Sequence, residues 1–393
     1  MDKVRIGIVG VGNMGSSHAK NIVEGKVEGG VLTAIADINP DRLKAMREKL
    51  PEKVAEFNTA SEMFDSGLVD LVMICVPHYF HPELSIEALN KGLHVICEKP
   101  AGVYTKQVKE MNAVAEKSDK VFAMMFNQRT NPNYIKMREM IAAGEIGEVK
   151  RVTWIITDWY RTQYYYDSGS WRATWAGEGG GVLFNQCPHQ IDLLQWVVGM
   201  MPKRIRAFCH FGKWHDIEVE DDVTAYFEYE NGATGTFITT TADSPGTNRF
   251  EIVGTRGTLT YDTHRHTLTV SRLSENEREW CRTSPNGFAQ VPGEVEELPE
   301  IKQDFSQHAT VATQVCQYIL GNRPDYIHGV EGIKGVMIAD AMLLSTWLDK
   351  TIELPFDDDL YYSELKKRIA TSRRKEKTDK LIDTSGSYGS GGK

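Results

Sequence analysis

A carboxylate, an ammonium group and a proline end one apolar run of this sequence, at Glu98, Lys99 and Pro100. The run itself, residues 94–97, is short, apolar and partly β-branched, as expected of a buried strand. Strand packing gives no reason for two charged side chains at this point, whereas amines and carboxylates are groups that hold and transfer protons. Because proline lacks an N–H and has a fixed φ, Pro100 would set the turn by which the chain leaves the strand.

Histidines follow the preceding apolar run in the same way. Residues 71–76 are followed by Pro77, His78 and, three positions later, His81. In an open α/β sheet, ligands bind in the crevice beyond the carboxyl ends of the strands. We therefore expect these histidines and Lys99 to lie along one edge of a sheet, at a bound ligand.

Three glycines near the N-terminus form the pattern Gly10-x-Gly12-x-x-Gly15, after an apolar run at 4–9 and before an amphipathic segment. In this context the pattern is typical of dinucleotide binding. The first glycine permits a tight turn, and the second lets the main chain approach a pyrophosphate. The third brings a helix close to the strand, with its positive end toward the phosphates. A glycine-rich turn without a ligand is the alternative interpretation.

Asp37 ends the next apolar run, 22 positions after Gly15. A carboxylate about 20 residues after the glycine pattern takes the ribose hydroxyls of NAD in dinucleotide-binding domains. Its charge would repel a 2′-phosphate, so the sequence favours NAD as the cofactor. The nearby Arg42 leaves NADP as the less favoured alternative.

Strands and helices alternate up to about residue 126, which predicts a doubly wound α/β sheet that would position these side chains. The predicted strands are residues 4–9, 32–36, 71–76, 94–97 and 121–126.

Beyond about residue 130 the pattern favours an antiparallel meander covered by helices, an α+β arrangement. The strand candidates are 149–160, 203–211, 222–229, 233–241, 248–254, 258–261 and 266–272, and the helices are 133–143, 189–199, 304–320 and 329–347. We predict a dinucleotide-binding domain at 1–128, a substrate and oligomerisation domain at 129–356, and a C-terminal tail at 357–393. The end of that tail is too poor in apolar residues to pack and is expected to be disordered.

The composition excludes several classes of protein. The 393 residues carry a net charge of −9, which disfavours nucleic acid and anionic membranes as partners. The six cysteines are scattered without metal-ligand spacing, so we predict buried thiols and no metal site. No apolar run approaches the ~20 residues of a membrane span, and the N-terminus runs straight into a strand without a signal peptide. We therefore expect a cytoplasmic protein.

The motifs together resemble the Gfo/Idh/MocA family, named for glucose–fructose oxidoreductase and inositol dehydrogenase. The resemblance extends over residues 3–355 and rests on the stretches GIVGVGNMG, VPHYFH, CEKP, FNQR, SWR, GGGVLFNQCPHQIDLL, EIVGTRGTL and GVEGIKGVMIADAMLLS. It implies an N-terminal Rossmann dinucleotide-binding domain and a C-terminal α+β domain with a large, mainly antiparallel open sheet. It also implies a homodimer or homotetramer that associates through this sheet.

The resemblance assigns roles to individual residues. Lys99 matches the lysine beside the nicotinamide, which is catalytic and binds substrate, and His189 matches the usual acid/base histidine. With the phosphate loop, the predicted cofactor-binding residues are Gly10, Gly12, Asn13, Met14, Gly15, Asp37, Arg42, Val76, Pro77, His78, His81, Glu98, Lys99, Asn127, Arg129, Trp171 and Arg172. The predicted substrate-binding residues are Lys99, Asp158, Trp159, Tyr160, Arg172, Asn185, His189 and His308.

Oxidation of a secondary alcohol requires loss of a hydride from carbon and of a proton from oxygen. Histidine titrates near neutral pH and suits removal of the proton, so we assign proton removal to His189. Near an oxidised nicotinamide and another cation the pKa of Lys99 would fall, and the lysine would polarise the oxygen or share the proton. The reverse assignment also satisfies the chemistry.

One position departs from the family pattern. Asn185 stands where an aspartate is usual, four residues before His189. An amide can bind a sugar hydroxyl, but it cannot supply the negative charge that supports a protonated histidine. A carboxylate relay to His189 is therefore not expected here.

Residues 157–172 are rich in aromatic and arginine side chains, which suit sugar binding. Tyr164, Tyr165 and Tyr166 could equally cover a loop or meet a neighbouring subunit. His308 could equally be an ordinary surface histidine.

The leading functional hypothesis is an NAD-dependent dehydrogenase of a ring hydroxyl in a sugar, glycoside or cyclitol. The alternative is a glycoside-cleaving enzyme that uses tightly bound NAD in a cycle of oxidation, elimination and reduction. A third hypothesis is a dinucleotide sensor without turnover, which the presence of Lys99 and His189 disfavours.

Overall fold

The structure, a computed structural model, describes residues 2–302, 305–323 and 325–373. The described chain divides into two compact units. Of the described residues, the first unit contains those in 2–130, 177–179 and 305–336, and the second contains those in 131–176, 180–302 and 337–373. The predicted domains 1–128 and 129–356 are each one continuous stretch of sequence. In the structure the first unit is discontinuous, because the chain comes back to it at 177–179 and again after residue 302. Residues 374–393, the predicted disordered end, lie outside the described residues.

The sheet of the first unit is parallel and doubly wound, which confirms the predicted α/β class. In the part of the chain that is described it has six strands, in the order β3-β2-β1-β4-β5-β6. They are β1 Val4–Val9, β2 Gly30–Ala36, β3 Ala55–Phe57, β4 Leu71–Ile74, β5 His94–Cys97 and β6 Phe122–Met124. The strand order reverses between β1 and β4, the point at which such sheets bind ligands. The sequence did not predict β3, whose three residues are too few for a hydrophobic pattern.

The helices alternate with these strands and continue through the second unit. They are α1 Asn13–Val23, α2 Pro40–Arg47, α3 Ala60–Asp65, α4 Phe80–Asn90, α5 Thr105–Ala115, α6 Pro132–Ala142, α7 Gln163–Asp167, α8 Pro188–Val198, α9 Glu277–Thr283, α10 Gln307–Ile319, α11 Gly332–Leu348 and α12 Asp358–Ala370. Two 3₁₀ turns lie at Asn127–Thr130 and Gly329–Glu331. None of the helices in the described ranges is long and apolar enough to cross a membrane.

Helix α10 belongs to the first unit, which corrects the prediction that placed it, with His308, in the second domain. Its buried side chains Val311, Val315 and Cys316 join the apolar cluster that contains Ile6 and Ile8 of β1. Helical spacing in the sequence reveals that α10 has an apolar face, but not which sheet that face covers.

The second unit contains the predicted open, mainly antiparallel sheet. Its strands are β7 Val149–Ile156, β8 Arg204–Phe211, β9 Glu220–Glu228, β10 Thr234–Thr240, β11 Asn248–Gly254, β12 Gly257–Asp262, β13 Thr267–Leu273, β14 Gly293–Pro299 and β15 Ile352–Glu353. Across the described residues they follow the order β14-β13-β12-β11-β7-β10-β9-β8-β15. Strands β7 and β10 pair in parallel, and the neighbours on either side pair antiparallel.

One face of this sheet is packed. Trp154 is fully buried and stacks on Phe250, with 4.1 Å between ring centroids. Tyr134 of α6 packs against Trp154 and Tyr261, so α6 covers this face. Along each central strand the alternate side chains point away from the packed face and remain partly accessible.

Candidate functional site

The glycines of the phosphate loop are required by close main-chain contacts. Gly10 has φ of 85°, and a Cβ added there would lie 2.5 Å from the Cys75 carbonyl oxygen. A Cβ at Gly15 would lie 1.9 Å from the carbonyl oxygen of Gly10. A side chain at Gly10 would therefore clash with the chain that leaves β4, and one at Gly15 would displace α1 from the loop after β1.

The N-terminus of α1 is built to receive an anion. Its N-cap is Gly12, which offers no side chain to bond the first N–H groups, and its first turn contains no acidic residue. A Cβ at Gly12 would come no closer than 3.7 Å to another group, the Arg42 guanidinium. The loop therefore leaves room for a pyrophosphate, and Arg42 lies near enough to help neutralise it.

Asp37 lies immediately after β2 with its carboxylate held in a fixed orientation. Oδ2 accepts a hydrogen bond of 2.9 Å from the Val11 N–H, and Oδ1 accepts one of 2.8 Å from the Asn39 N–H. Each oxygen keeps a second lone pair for a ribose hydroxyl. This is the environment that the spacing of Asp37 predicts.

His81 ties together the loops that follow β4 and β5. Its Nδ1 lies 2.7 Å from the Pro100 carbonyl oxygen and its Nε2 lies 2.8 Å from that of Val76. The ring is buried, and this burial lowers the pKa of His81 despite the two carbonyl contacts. We infer that His81 positions the loop carrying Lys99. The neighbouring His78 is also buried, with Nδ1 3.3 Å from the Glu178 carbonyl oxygen.

A buried cluster of charged and titratable groups surrounds Glu98. The carboxylate Oε1 lies 2.7 Å from Nε2 of His18 in α1, and Oε2 accepts a bond of 3.2 Å from the Lys99 N–H. Burial alone would raise the pKa of Glu98, but the His18 contact outweighs it and lowers that pKa to about 2. The carboxylate is thus ionised and fixes the main chain at Lys99.

His308 completes this cluster from helix α10. Its ring meets the His18 ring edge-on, with 5.6 Å between centroids. Burial, together with the neighbouring His18 and Lys99, lowers the pKa of His308 to about 4, although Glu98 opposes the shift. His308 is therefore neutral at neutral pH. The sequence missed His18, although it lies only three residues after Gly15, on the helix that the glycine pattern identifies.

Asn127 and Arg129 lie in the 3₁₀ turn after β6 and differ in their contacts. Asn127 donates from Nδ2 to Gln307 Oε1 at 2.9 Å, while its buried Oδ1 meets no hydrogen-bond donor within the described residues. Arg129 is buried and donates to Glu331 Oε2 at 2.8 Å. Burial would raise the pKa of Glu331, but the Arg129 charge prevails and lowers it. Asn127 can therefore serve a ligand, whereas Arg129 forms a structural ion pair.

NAD fits these residues of the first unit. The uncapped helix end and Gly12 suit a pyrophosphate, and the oriented Asp37 suits a ribose without a 2′-phosphate. Asn127 Oδ1 is a buried acceptor that meets no donor in the described part of the chain. The Lys99–Pro100 peptide bond is cis at the end of β5.

His189 lies in the first turn of α8, in the second unit, and is buried. The loop before it wraps closely around Glu220, whose Oε1 accepts bonds of 2.8 Å and 3.0 Å from the Gly181 and Leu183 N–H groups. A Cβ at Gly181 would lie 2.1 Å from the Glu220 carbonyl oxygen, which explains the glycine there. This loop carries Asn185, which is half-buried.

Asp158, Trp159 and Tyr160 follow β7 in the same unit. Burial raises the pKa of Asp158, although the Asn248 amide donates to its Oδ2 at 3.2 Å. The Tyr160 side chain is exposed, whereas Trp159 lies under the Arg161 guanidinium. The Asp158 side chain is only 8% exposed and can bond a sugar hydroxyl.

Arg172 is held by an aromatic neighbour that the sequence left unassigned. Its guanidinium stacks on the Trp171 and Tyr165 rings and donates to the Tyr165 hydroxyl at 2.8 Å. The Arg161 guanidinium also stacks on two rings, that of Trp159 and the same Tyr165 ring. The sequence singled out Arg172 but missed Arg161, which has no motif of its own.

Two family models match the chain. Residues 4–126 match the oxidoreductase family with an NAD-binding Rossmann fold, and residues 134–260 match the GFO/IDH/MocA C-terminal domain. Together the two models of this one family match more than half of the chain. The chain belongs to the Gfo/Idh/MocA family. The predicted fold class, NAD cofactor and enzyme class, a nicotinamide-dependent dehydrogenase, are thereby confirmed.

Relatives in this family include characterised dehydrogenases. A myo-inositol 2-dehydrogenase of Thermotoga maritima is 27% identical over 70% of this chain and 80% of its own length. A levoglucosan dehydrogenase of Pseudarthrobacter phenanthrenivorans is 27% identical over 75% of this chain and 83% of its own. Among solved structures, the WlbA dehydrogenase of Chromobacterium violaceum, in complex with NADH and UDP-GlcNAcA, has a TM-score of 0.75 at 24% identity. That match covers 91% of this chain and 97% of WlbA, and it supports the fold.

The first prediction concerns Asp37. We expect Asp37→Asn to weaken NADH binding about 10-fold and to leave NADPH binding unchanged or tighter, since the amide loses a charged acceptor but no longer repels a 2′-phosphate. Fluorescence titration with NADH and with NADPH measures the two dissociation constants and therefore their ratio. Asp41→Asn, at an exposed acid in α2, should leave the ratio unchanged. A larger loss for NADPH than for NADH would contradict the role of Asp37.

The second prediction concerns pH and His308. Because its folded pKa lies near 4, below the usual value of 6.5, His308 favours the folded state above pH 6.5 and loses this contribution as pH falls toward 4. We expect His308→Gln to reduce the drop in melting temperature between pH 7 and pH 5, measured by differential scanning calorimetry. Glu98, with a pKa of about 2, does not titrate in this window.

The control for this measurement is His328→Gln, at a half-exposed histidine of the same unit. It should leave the drop unchanged. An equal drop in wild type and His308→Gln would show that the ring is not buried in its neutral form.

Proposed function

We propose that this protein is a dehydrogenase that moves a hydride between NAD and a ring hydroxyl or ketone of a sugar, glycoside or cyclitol. The observation that carries this proposal is a phosphate loop fitted to NAD in a chain that retains both proton-handling candidates, Lys99 and His189. The inositol and levoglucosan dehydrogenases among its relatives support the substrate class.

We assign proton transfer to His189 and Lys99. In the oxidative direction the hydroxyl proton passes to the His189 imidazole, while the Lys99 ammonium stabilises negative charge on the oxygen. The phosphate loop and Asp37 would hold NAD, which would supply the acceptor for the hydride that leaves the carbon. Glu98 and His81 act on Lys99 indirectly, because they fix the main chain on either side of it.

Asp158, Trp159, Tyr160 and Asn185 are our candidates for holding the sugar. Asp158 and Asn185 offer polar groups to ring hydroxyls, and the aromatic rings can stack on the C–H face of a pyranose.

A substrate panel with variants tests the proposal. Monosaccharides, glycosides and inositols are offered with NAD, and absorbance of NADH and product analysis are followed. We expect His189→Ala and Lys99→Ala each to lower kcat/KM by about 10²- to 10⁴-fold, because each removes a proton-handling group. His210→Ala, on an exposed position of β8, is the matched control.

Nearly intact turnover in both variants would refute the assigned roles. Cleavage of a glycoside without net NADH would instead identify the oxidation–elimination–reduction cycle.

We propose in addition that two copies associate through the open face of the second-unit sheet. Phe208, Thr224, Ile238 and Ile155 lie side by side across β8, β9, β10 and β7, all on the accessible face. Such a row of partly apolar side chains is suited to burial against a second sheet.

Ile238→Arg should shift the protein toward monomer, since it places a charge in the middle of this row without entering the packed core. Size-exclusion chromatography with light scattering measures the mass. Lys117→Glu, at an exposed residue of the turn that follows α5, should leave the mass unaltered. A wild-type protein that is already monomeric at micromolar concentration would rule out this interface.

We also propose a cytoplasmic location. None of the six cysteines is in a disulfide within the described residues, as a reducing compartment would allow.

A further inference from the structure

Two arginines of the second unit stack on a single tyrosine. The guanidinium carbon of Arg172 lies 4.6 Å from the centre of the Tyr165 ring, and that of Arg161 lies 5.1 Å from it. Each arginine also stacks on a tryptophan, Arg172 on Trp171 and Arg161 on Trp159. Such stacking fixes the plane of a guanidinium and leaves its N–H edge available for hydrogen bonds.

Neither of these arginines pairs with a carboxylate in the part of the chain that the structure describes. Other arginines of the same unit do so, among them Arg204 with Glu228, Arg272 with Glu145 and Glu296, and Arg278 with Glu148. Two positive charges held close together without a counter-charge are unfavourable unless a ligand supplies one.

The hydrogen-bonding groups around the two arginines include more donors than acceptors. Trp159 Nε1 and Arg161 Nε are buried and meet no acceptor among the described residues. The Tyr165 hydroxyl oxygen already accepts from Arg172 at 2.8 Å and from Gln186 at 3.3 Å. A buried donor without an acceptor carries a free-energy cost, because it has lost its hydrogen bonds to water. A ligand with several acceptor oxygens would remove this cost.

The main chain at Arg161 is held from two sides. Its N–H donates to the Thr241 carbonyl at 2.8 Å, and its own carbonyl oxygen lies 2.9 Å from Nε2 of His215. His215 in turn has Nδ1 3.0 Å from Oδ2 of Asp221, a fully buried carboxylate. The backbone of Arg161 is therefore fixed. Its guanidinium is held by the Trp159 and Tyr165 rings and by a bond of 2.9 Å from Nη1 to the Tyr160 carbonyl oxygen.

Gln186 connects this group to the segment that carries the proposed acid/base residue. It donates to the Tyr165 hydroxyl and lies between Asn185 and Cys187, in the loop that leads into α8 and His189. Its Oε1 is buried without a donor in the described chain, so it can accept from a ligand hydroxyl.

We propose that Arg161 and Arg172, with Tyr165, Trp159 and Gln186, bind an anionic group of the substrate. The substrate is then an acidic sugar or cyclitol, whose carboxylate or phosphate provides the missing counter-charge and acceptors. That this anionic group belongs to the substrate rests on the proposed function. The phosphates of the cofactor are the other source of the same chemistry, and the experiment separates the two.

The first arm locates the anion without any turnover. Crystals of the protein with NADH are soaked in sodium bromide, and bromide is identified by anomalous scattering. We expect bromide at the Arg161 and Arg172 guanidinium groups in wild type and its absence in Arg161→Gln. A site without bromide, or one filled by a phosphate of NADH, would overturn the proposal.

The second arm identifies the substrate class. D-glucuronate, D-galacturonate and glucose 6-phosphate are compared with the methyl esters of the two acids and with glucose, at saturating NAD. We expect at least one acid to exceed its neutral counterpart at least 10-fold in kcat/KM, and Arg161→Gln to reduce this ratio to within about 3-fold. Arg282→Gln, at an exposed arginine of α9, should keep the ratio.

Equal rates for acids and neutral counterparts in wild type would refute an acidic substrate. Loss of NADH affinity in Arg161→Gln, with the acid ratio unchanged, would assign the arginine to the cofactor. If no compound of this panel is oxidised while a neutral compound of the wider panel is, the inference of an acidic substrate fails and the dehydrogenase proposal stands. If neither panel contains a substrate, the dehydrogenase proposal fails, and the bromide result still decides whether the anion site exists.

Discussion

The buried charge of Glu98 is the constraint on which the first unit depends. A carboxylate removed from water is costly unless a partner compensates it, and here the partner is His18 of the phosphate-loop helix. The same carboxylate accepts the Lys99 N–H, and α10 brings His308 against the His18 ring. One ionised group thus connects the helix that would receive the pyrophosphate, the loop of the proposed catalytic lysine and a helix from the last third of the chain.

Much of this unit could be predicted from the sequence because the determining contacts are local. Gly10 and Gly15 specify a turn and a close approach within a few residues of each other, and Asp37 follows at a fixed distance along the chain. Five strands of this unit were located correctly because a buried parallel strand has a nearly continuous apolar run, and the bounds of β1 and β5 agree with the prediction. The strands β4 and β6 end two residues earlier than predicted, and β2 begins two residues earlier. The family resemblance then supplied His189, which local patterns alone would not distinguish from a core histidine.

What could not be predicted depends on contacts between distant residues. The apolar face of α10 fits several surfaces equally well, and only the folded chain shows that it joins the apolar cluster of the first unit and packs near α1 and β2. No motif in the sequence marks His18, because its partner Glu98 lies 80 residues away along the chain. Arg161 is similar: its significance comes from sharing one ring with Arg172 and from the lack of a carboxylate within the described residues.

The discontinuity of the first unit has a consequence for how the protein is made. During synthesis, residues 1–130 leave the ribosome well before α10, so the surface beside Ile6 and Ile8 stays without its apolar cover until the second unit has been translated. A fragment ended after residue 130 would keep that surface exposed to water and to other chains. The completion of the nucleotide-binding half is therefore coupled to the arrival of a helix from near the other end of the polypeptide.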